Sequence, residues 1–253
     1  MENKAVSIII PTINEEENIN TCIETARRLD PLEIIVVDAG STDRTREIAI
    51  NTGAMVIQSS KGRGIQMNKG ASLARGDILL FLHADTLLPD CSQELLNVGK
   101  CYSELASESR LPNAEQEILK RAPHDILDKN IGGFFRLKFN ENSISLRLVE
   151  LFANLRARIF SIPYGDQAIF IRKDVFENIG GFREYPFLED IDMSIRLKKV
   201  GRLKYLPLSV IVSARRIKKG YPFSPILASL RNVLIALLFM LGISPNRLLK
   251  FYK

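Results

Sequence analysis

Cysteines are few in this sequence, and they follow no metal-binding or disulfide pattern. Only Cys22, Cys91 and Cys101 occur among 253 residues, and no two of them form a CxxC pair. An odd, scattered set argues against a disulfide framework or a structural zinc site and fits a reducing compartment. A signal-peptide pattern is also missing, because residues 1–4 lead directly into a short apolar segment of strand length. We therefore expect a location on the cytoplasmic side.

Two common phosphate-binding signatures are absent as well. The sequence contains neither GxxxxGK[ST] nor GxGxxG, and residues 61–64 (Lys-Gly-Arg-Gly) resemble a phosphate-binding loop only loosely. A nucleotidyltransferase, which uses a related α/β sheet, would need a basic, glycine-rich loop behind the first strand. Asn14 and an acidic segment occupy that place and would repel a triphosphate. The net charge of +6 fits an anionic partner such as nucleotide phosphate or acidic lipid, although ordinary solubility explains it equally well.

Apolar β-branched segments alternate with helix signals in the first third of the chain. Segments this apolar, separated by helices, predict an α/β fold with a mostly parallel central sheet that helices flank on both faces. The acidic residues 15–17 would form the first turn of the first helix, where they suit the helix dipole. The predicted strands are 5–10, 33–37, 54–58 and 77–82, and the predicted helices are 14–29, 43–52 and 64–74.

The remainder of the chain divides into three parts. Residues 99–130 are polar and mixed, and we interpret them as an insertion or flap within a domain that spans residues 1–220. Residues 221–253 form a separate apolar and basic helical extension, whose uninterrupted apolar part is shorter than the roughly 20 residues that span a bilayer. This tail either lies in a membrane interface beside anionic lipid or packs on the core or on a second subunit. After the flap, the pattern predicts strands at 131–140 and 168–172 and helices at 143–159, 173–179 and 191–200.

Polar residues follow three of the predicted strands, where ligands bind in an open parallel sheet. Asp38 ends the second strand and can accept from a base N–H or a ribose hydroxyl, although Asp38 or Ser41 could instead cap the next helix. His83 and Asp85 follow the fourth strand with the spacing that lets two ligands point toward one Mn²⁺ or Mg²⁺. The alternative for this pair is a simple turn at the strand end.

The acidic cluster formed by Glu189, Asp190 and Asp192 places three carboxylates within four positions. Like charges held close together raise one another's pKa, which is one way to make a carboxylate basic enough to take a proton. The alternative is that these residues cap or open a helix that begins near Ile191. Upstream, residues 165–167 (Gly-Asp-Gln) predict a turn that binds acceptor hydroxyls or satisfies its own backbone.

Five segments in this order resemble glycosyltransferase family 2, which has the GT-A (Rossmann-like) fold. They are residues 11–16 (PTINEE), 37–43 (VDAGSTD), 83–85 (HAD), 165–167 (GDQ) and 188–190 (LED). The resemblance covers about residues 5–220, and residues 76–86 with 213–216 are similar to a bacterial subgroup of small, single-domain members. The absence of a QxxRW motif argues against a processive polymerase. A non-catalytic membrane-surface or nucleotide-binding module on the same scaffold is the alternative from another functional class.

The resemblance implies an inverting transfer of a sugar from a UDP- or GDP-linked donor to an acceptor hydroxyl, with no nucleic-acid partner. It implies that Asp190 is the catalytic base and that Asp85 binds Mn²⁺ or Mg²⁺, with His83 in place of the first Asp of the family's DxD motif. The apolar tail suggests a lipid-linked acceptor and a peripheral position on the inner face of the cell membrane. The implied donor and acceptor contacts are Pro11, Thr12, Glu15, Asp38, Gly165, Asp166, Gln167, Glu189, Arg215 and Arg216.

Overall fold

The computed structural model describes residues 5–90, 130–215 and 225–252. Arg216, Cys91, Cys101 and nearly all of the predicted flap at 99–130 lie outside these ranges. The strands are β1 Val6–Thr12, β2 Glu33–Asp38, β3 Met55–Gln58, β4 Ile78–Phe81, β5 Thr86–Leu87, β6 Asn130–Phe139, β7 Phe170–Arg172 and β8 Arg202–Val212. The helices are α1 Ile19–Arg27, α2 Thr45–Asn51, α3 Arg63–Leu73, α4 Ile144–Phe160, α5 Lys173–Asn178, α6 Glu189–Val200, α7 Pro225–Met240 and α8 Pro245–Tyr252. A 3₁₀ turn spans Gly165–Gln167.

The strands form one eight-stranded sheet in the order β3-β2-β1-β4-β7-β6-β8-β5. The first four strands in this order are parallel, and β6 and β8 are parallel to each other. The short strands β7 and β5 run antiparallel to their neighbours. The mostly parallel sheet flanked by helices is therefore confirmed.

The inner strands are apolar throughout because both faces of the sheet are covered. Side chains alternate between the two faces of a strand. In β1, Ile8 and Ile10 belong to one buried cluster while Ile9 belongs to the other, and all three are fully buried. The same alternation in β2 and β4 explains why these segments read as continuous apolar runs rather than as alternating patterns.

The first helix is shorter than predicted. It begins at Ile19 rather than at residue 14, so the acidic residues 15–17 precede the helix instead of forming its first turn. Asn14 has a φ of 52°, which is incompatible with a helical start, and the backbone N–H of Glu15 donates to the Thr45 hydroxyl at 2.7 Å. The hydrogen bond to Thr45 attaches the loop after β1 to the first residue of α2.

Strands β5 and β8 were not predicted from the sequence. In β8 the pairing with β6 shifts so that Leu206 lies opposite Phe135 and Ser209 opposite Arg136. Pro207 falls in the resulting bulge, where its missing N–H costs no ladder hydrogen bond. A proline within a segment normally argues against a central strand, so Pro207 weakens the strand signal of residues 202–212.

The C-terminal segment forms two helices that lie against the domain. Helix α7 packs against α4 and α8 and buries Ala228, Ile235 and Ala236. Across the described parts of the chain, every helix is too short or too polar to cross a bilayer.

Candidate active site

A cavity of about 250 Å³ opens beyond the carboxyl end of β4. Residues from the segment after β4, the 3₁₀ turn and the start of α6 line it, and helix α7 forms one of its walls. Of the residues singled out from the sequence, it brings together His83, Asp85, Gly165, Asp166 and Asp190. The strand-end rule and the acidic cluster therefore converge on one site.

Asp190 lies in the first turn of α6 and is held by two backbone donors. Its Oδ2 accepts from the N–H of Gly165 at 2.6 Å, and its Oδ1 accepts from the N–H of Ile191 at 2.8 Å. Leu188, which immediately precedes α6, has a φ of 68°, a left-handed conformation that is costly for a non-glycine residue. Asp190 thus has the helix-opening contact considered from the sequence and also faces the cavity.

Gly165 lies between the His83 imidazole and the Asp190 carboxylate. A Cβ atom on Gly165 would come within 2.8 Å of His83 Nε2 and 3.5 Å of Asp190 Oδ2. The first distance is shorter than a Cβ contact allows, so any side chain at position 165 would have to displace the His83 imidazole.

The carboxyl group of Asp166 in the cavity has a raised pKa. Its pKa is raised to about 6, chiefly by burial; the negative charges of Asp190 and Asp85 contribute to the rise, and the positive charges of Arg156 and Arg63 oppose it. Within the described residues, its Oδ1 has no hydrogen-bond partner. The carboxyl groups of Asp85, Asp166 and Asp190 therefore share a poorly solvated cavity.

The other two carboxylates of the acidic cluster are bound in ion pairs outside this cavity. Glu189 is buried, and its Oε1 lies 3.1 Å from Arg63 Nη1. Burial raises the pKa of Glu189, the charge of Arg63 opposes this, and Asp190 adds to it. Asp192 pairs with Arg196 at 2.7 Å. Only Asp190 of the three carboxylates faces the cavity.

Asp38 and Thr12 meet at the adjacent ends of β2 and β1. Asp38 is fully buried, and its Oδ1 accepts from the backbone N–H groups of Gly40 and Ser41 at 3.1 and 3.0 Å. Its Oδ2 accepts from the Ser41 hydroxyl and, at 3.4 Å, from the Thr12 hydroxyl. The Asp38 carboxylate thus already accepts hydrogen bonds that stabilise its own turn. A ribose or base could donate only to the lone pairs that these contacts leave available.

Glu15 and Arg215 join the loop after β1 to the end of β8. Arg215 Nη2 lies 2.7 Å from Glu15 Oε2, and Nη1 lies 3.3 Å from Glu17 Oε2. Burial lowers the pKa of Arg215, but its hydrogen bond to Glu15 and the charges of Glu15, Asp85 and Glu17 outweigh burial and raise it. Arg215 is therefore a permanent cation within electrostatic reach of Asp85.

Pro11 and Gln167 lie away from the cavity lining. Pro11 sits in β1 opposite Val37. Gln167 is fully buried, donates to the Phe135 carbonyl at 3.1 Å and accepts from the Tyr164 N–H at 3.3 Å. These contacts match the backbone-satisfying alternative for the turn.

The cavity also contains charged and polar residues that were not selected from the sequence. Arg63 belongs to residues 61–64, which resemble a phosphate-binding loop only loosely, and Arg231 and Asn232 interrupt the apolar sequence of α7. Tyr164 lies beneath the Arg156 guanidinium, whose carbon is 3.3 Å from the ring centre. A polar pair inside an otherwise apolar helix was the signal that could have placed α7 against a polar site.

His83 and Asp85 fit a divalent cation that shares its coordination with substrate. Among residues 5–90, 130–215 and 225–252, no group of three or more His, Cys, Asp or Glu is arranged to hold a metal ion. Two protein ligands agree with Mg²⁺ or Mn²⁺ sites that combine one or two side chains with substrate phosphates. Besides burial, the charges of Asp190 and Asp85 contribute to the raised pKa of Asp166, and a dication would neutralise that negative charge.

The sequence pattern of Glycosyl transferase family 2 matches residues 7–98. A PGL/p-HBAD biosynthesis glycosyltransferase of Mycobacterium bovis BCG is 30% identical over 200 residues, which cover 75% of this chain and 68% of that protein. A glucosyl-3-phosphoglycerate synthase of Mycolicibacterium smegmatis is 32% identical over 102 residues, or 34% of this chain and only 33% of the synthase. The chain belongs to glycosyltransferase family 2.

Solved structures confirm the GT-A fold. The glucosyl-3-phosphoglycerate synthase of Mycobacterium tuberculosis, solved with Mn²⁺, UDP and glucosyl-3-phosphoglycerate, aligns with a TM-score of 0.57 at 18% identity. The alignment covers 95% of this chain and 81% of the synthase chain. A mannosyltransferase of Pyrobaculum calidifontis, solved with GDP-Man and Mn²⁺, aligns with a TM-score of 0.54 at 18% identity over 87% of this chain and 61% of its own.

Proposed function

We propose that this protein is an inverting glycosyltransferase that moves a sugar from a UDP- or GDP-linked donor to an acceptor hydroxyl. The observation that carries the proposal is the placement of Asp190 in the same cavity as His83 and Asp85. Family membership and the nucleotide and Mn²⁺ complexes of structural neighbours support it. One cavity thus offers a candidate base and a candidate site for the leaving diphosphate.

Asp190 is the proposed general base. Its carboxylate removes the proton from the acceptor hydroxyl as that oxygen attacks the anomeric carbon, and the nucleoside diphosphate leaves from the opposite face of the sugar. The hydrogen bonds from Gly165 and Ile191 use one position on each carboxylate oxygen. Each oxygen keeps a further lone pair, so Asp190 can be both oriented by the backbone and available to the acceptor.

Asp85 and His83 are the proposed ligands of Mn²⁺ or Mg²⁺. A divalent cation bound there would neutralise charge on the leaving diphosphate. Arg215 is a candidate to add a second positive charge, since it lies within electrostatic reach of Asp85. Arg216 is proposed for the same role from the sequence alone.

The nucleoside is proposed to lie at the ends of β1 and β2, against Pro11, Thr12, Glu15 and Asp38. The sugar and acceptor would then occupy the cavity itself, beside Gly165 and Asp166. Glu189 and Gln167 support the walls through their ion pair and backbone contacts rather than through the cavity lining. Helix α7 lines the cavity and exposes leucines to solvent, which supports a lipid-linked acceptor and a peripheral position of residues 221–253 on the inner face of the cell membrane.

Calorimetric titration of UDP, GDP, CMP and their sugars, with and without Mn²⁺, tests the donor site. We expect one nucleotide to bind and its affinity to rise with Mn²⁺, and the Asp85→Asn variant to lose most of that rise. Asp77→Asn, a change at an exposed carboxylate ahead of the same strand, is the matched control. A folded protein that binds none of these nucleotides would contradict the proposal.

A further inference from the structure

Helix α4 presents an apolar stripe to solvent instead of to the core. Ile144, Leu148, Leu151, Leu155 and Ile159 are all exposed, with Ile144 at 84%. They are spaced three or four residues apart, so they share one face of the helix. The opposite face carries the buried residues Leu146, Val149, Glu150 and Ala157.

Helix α7 repeats this arrangement beside it. Leu227, Leu230, Leu234, Leu237 and Leu241, just beyond the helix end, are exposed at the same three- and four-residue spacing. The cavity-lining residues Ala228, Arg231, Asn232 and Ile235 occupy the other face. Helix α7 therefore lines the cavity with one face and exposes leucines to solvent on the other.

Helices α4 and α7 pack against each other, so the two exposed stripes lie on adjacent helices. Contiguous apolar patches are uncommon on monomeric soluble proteins and mark interaction sites. Single exposed apolar residues elsewhere, such as Leu32 and Met55, have no comparable periodic partners. The exposed stripes therefore indicate a binding partner, and the charged residues nearby indicate its chemical class.

The charges around the surface favour anionic lipid over a second copy of the chain. Helices α7 and α8 contain no Asp or Glu, and the only carboxylate of α4, Glu150, is buried and accepts from Arg147. The exposed cations of these helices are Arg158, Arg247 and Lys250, whereas Arg156 stacks on Tyr164, Arg231 lines the cavity and Arg147 pairs with Glu150. Self-association through this face would bring like charges together, whereas an anionic bilayer surface attracts them.

We propose that helices α4 and α7 together form a binding surface for an anionic membrane, with the apolar stripes inserted among the lipids. The surface thus extends beyond the C-terminal tail to a helix of the catalytic domain. It places the cavity directly behind the lipid-facing helix, so that an acceptor anchored in the membrane has a short path to Asp190. That last step rests on the proposed function, whereas the lipid surface does not.

Co-sedimentation of the full chain with vesicles tests the surface. The probes are vesicles of phosphatidylcholine alone and of phosphatidylcholine mixed with phosphatidylglycerol. We expect binding to the anionic vesicles only, and a loss of at least about tenfold in the double variants Leu151→Gln/Leu155→Gln and Leu230→Gln/Leu234→Gln. The control Leu32→Gln/Met55→Gln, at residues 47% and 46% exposed, should bind like the unaltered protein. Circular dichroism establishes that each variant is folded.

Two results would overturn the inference. One is unchanged vesicle binding by the folded α4 double variant, because it would confine any lipid contact to the tail. The other is a dimer of the unaltered chain in sedimentation velocity that both stripe variants dissociate, because it would assign the surface to a second copy. Nucleotide titration of the same samples separates the two proposals, since a chain that binds vesicles but no nucleotide would remove the proposed function and leave the membrane surface intact.

Discussion

The backbone N–H of Gly165 donates a 2.6 Å hydrogen bond to Oδ2 of Asp190. This contact joins the 3₁₀ turn before β7 to the first turn of α6 and fixes the orientation of the carboxylate. Gly165 also packs closely against the His83 imidazole, where a Cβ atom would lie 2.8 Å from Nε2. This glycine therefore lies between the proposed base and a proposed metal ligand. Precise placement of this kind is what a proton transfer coupled to departure of the diphosphate requires.

Replacing Asp190 by Asn should reduce the rate of nucleotide release from the donor sugar by at least about 100-fold, because general-base assistance typically contributes that much or more. Donor affinity, measured by calorimetry, should change little. The control is Asp174→Asn, which removes a partly exposed first-turn carboxylate from α5. Near-normal turnover in Asp190→Asn would remove this residue from the base role.

Replacing Gly165 by Ala should lower the free energy of unfolding by about 1–3 kcal/mol, since the added methyl group overlaps His83 and must displace it. Urea unfolding measures the change. The double variant Gly165→Ala/His83→Ala gives the methyl group room, so the two changes should show a favourable coupling energy. Strictly additive losses would mean that the imidazole does not limit this position.

Replacing His83 by Asp should shift metal preference from Mn²⁺ toward Mg²⁺. Mn²⁺ accepts an imidazole nitrogen more readily than Mg²⁺ does, whereas a carboxylate serves both ions. Nucleotide titration in the presence of each ion measures the effect as a ratio of affinities, which we expect to change by about tenfold or more. An unchanged ratio would indicate that His83 does not contact the cation.

Much of the fold could be predicted, because strands buried on both faces leave a strong local signal. The consecutive residues Ile8, Ile9 and Ile10 are typical of a buried strand. The geometry of parallel sheets then predicts a ligand site at the polar residues after β4. Strand β8 was not predicted. Pro207 argues against a central strand, and the bulge that accommodates it is visible only in the structure.

The finer structure of the site depends on contacts between distant parts of the chain. Glu189 pairs with Arg63 across 126 positions, and nothing local distinguishes it from Asp190. The placement of Arg231 in the cavity likewise depends on how α7 packs against α4, which periodicity cannot specify.

Asp166 should make the protein less stable as the pH rises. Its pKa lies at about 6 in the folded chain against 3.8 for an ordinary Asp, so the native state holds a proton that the unfolded chain has already released. The resulting stability is fully present below about pH 4 and is lost as the pH rises to about 6. The full difference corresponds to about 3 kcal/mol at neutral pH.

Replacing Asp166 by Asn removes this titration while preserving the shape of the side chain. In metal-free buffer the variant should therefore be more stable than the unaltered protein at pH 7, by up to about 3 kcal/mol, and the two should converge near pH 4. Urea unfolding across this range provides the measurement. Parallel curves would show that Asp166 is ionised at little cost, and that the nearby charges of Arg156 and Arg63 already compensate for its burial and for Asp85 and Asp190.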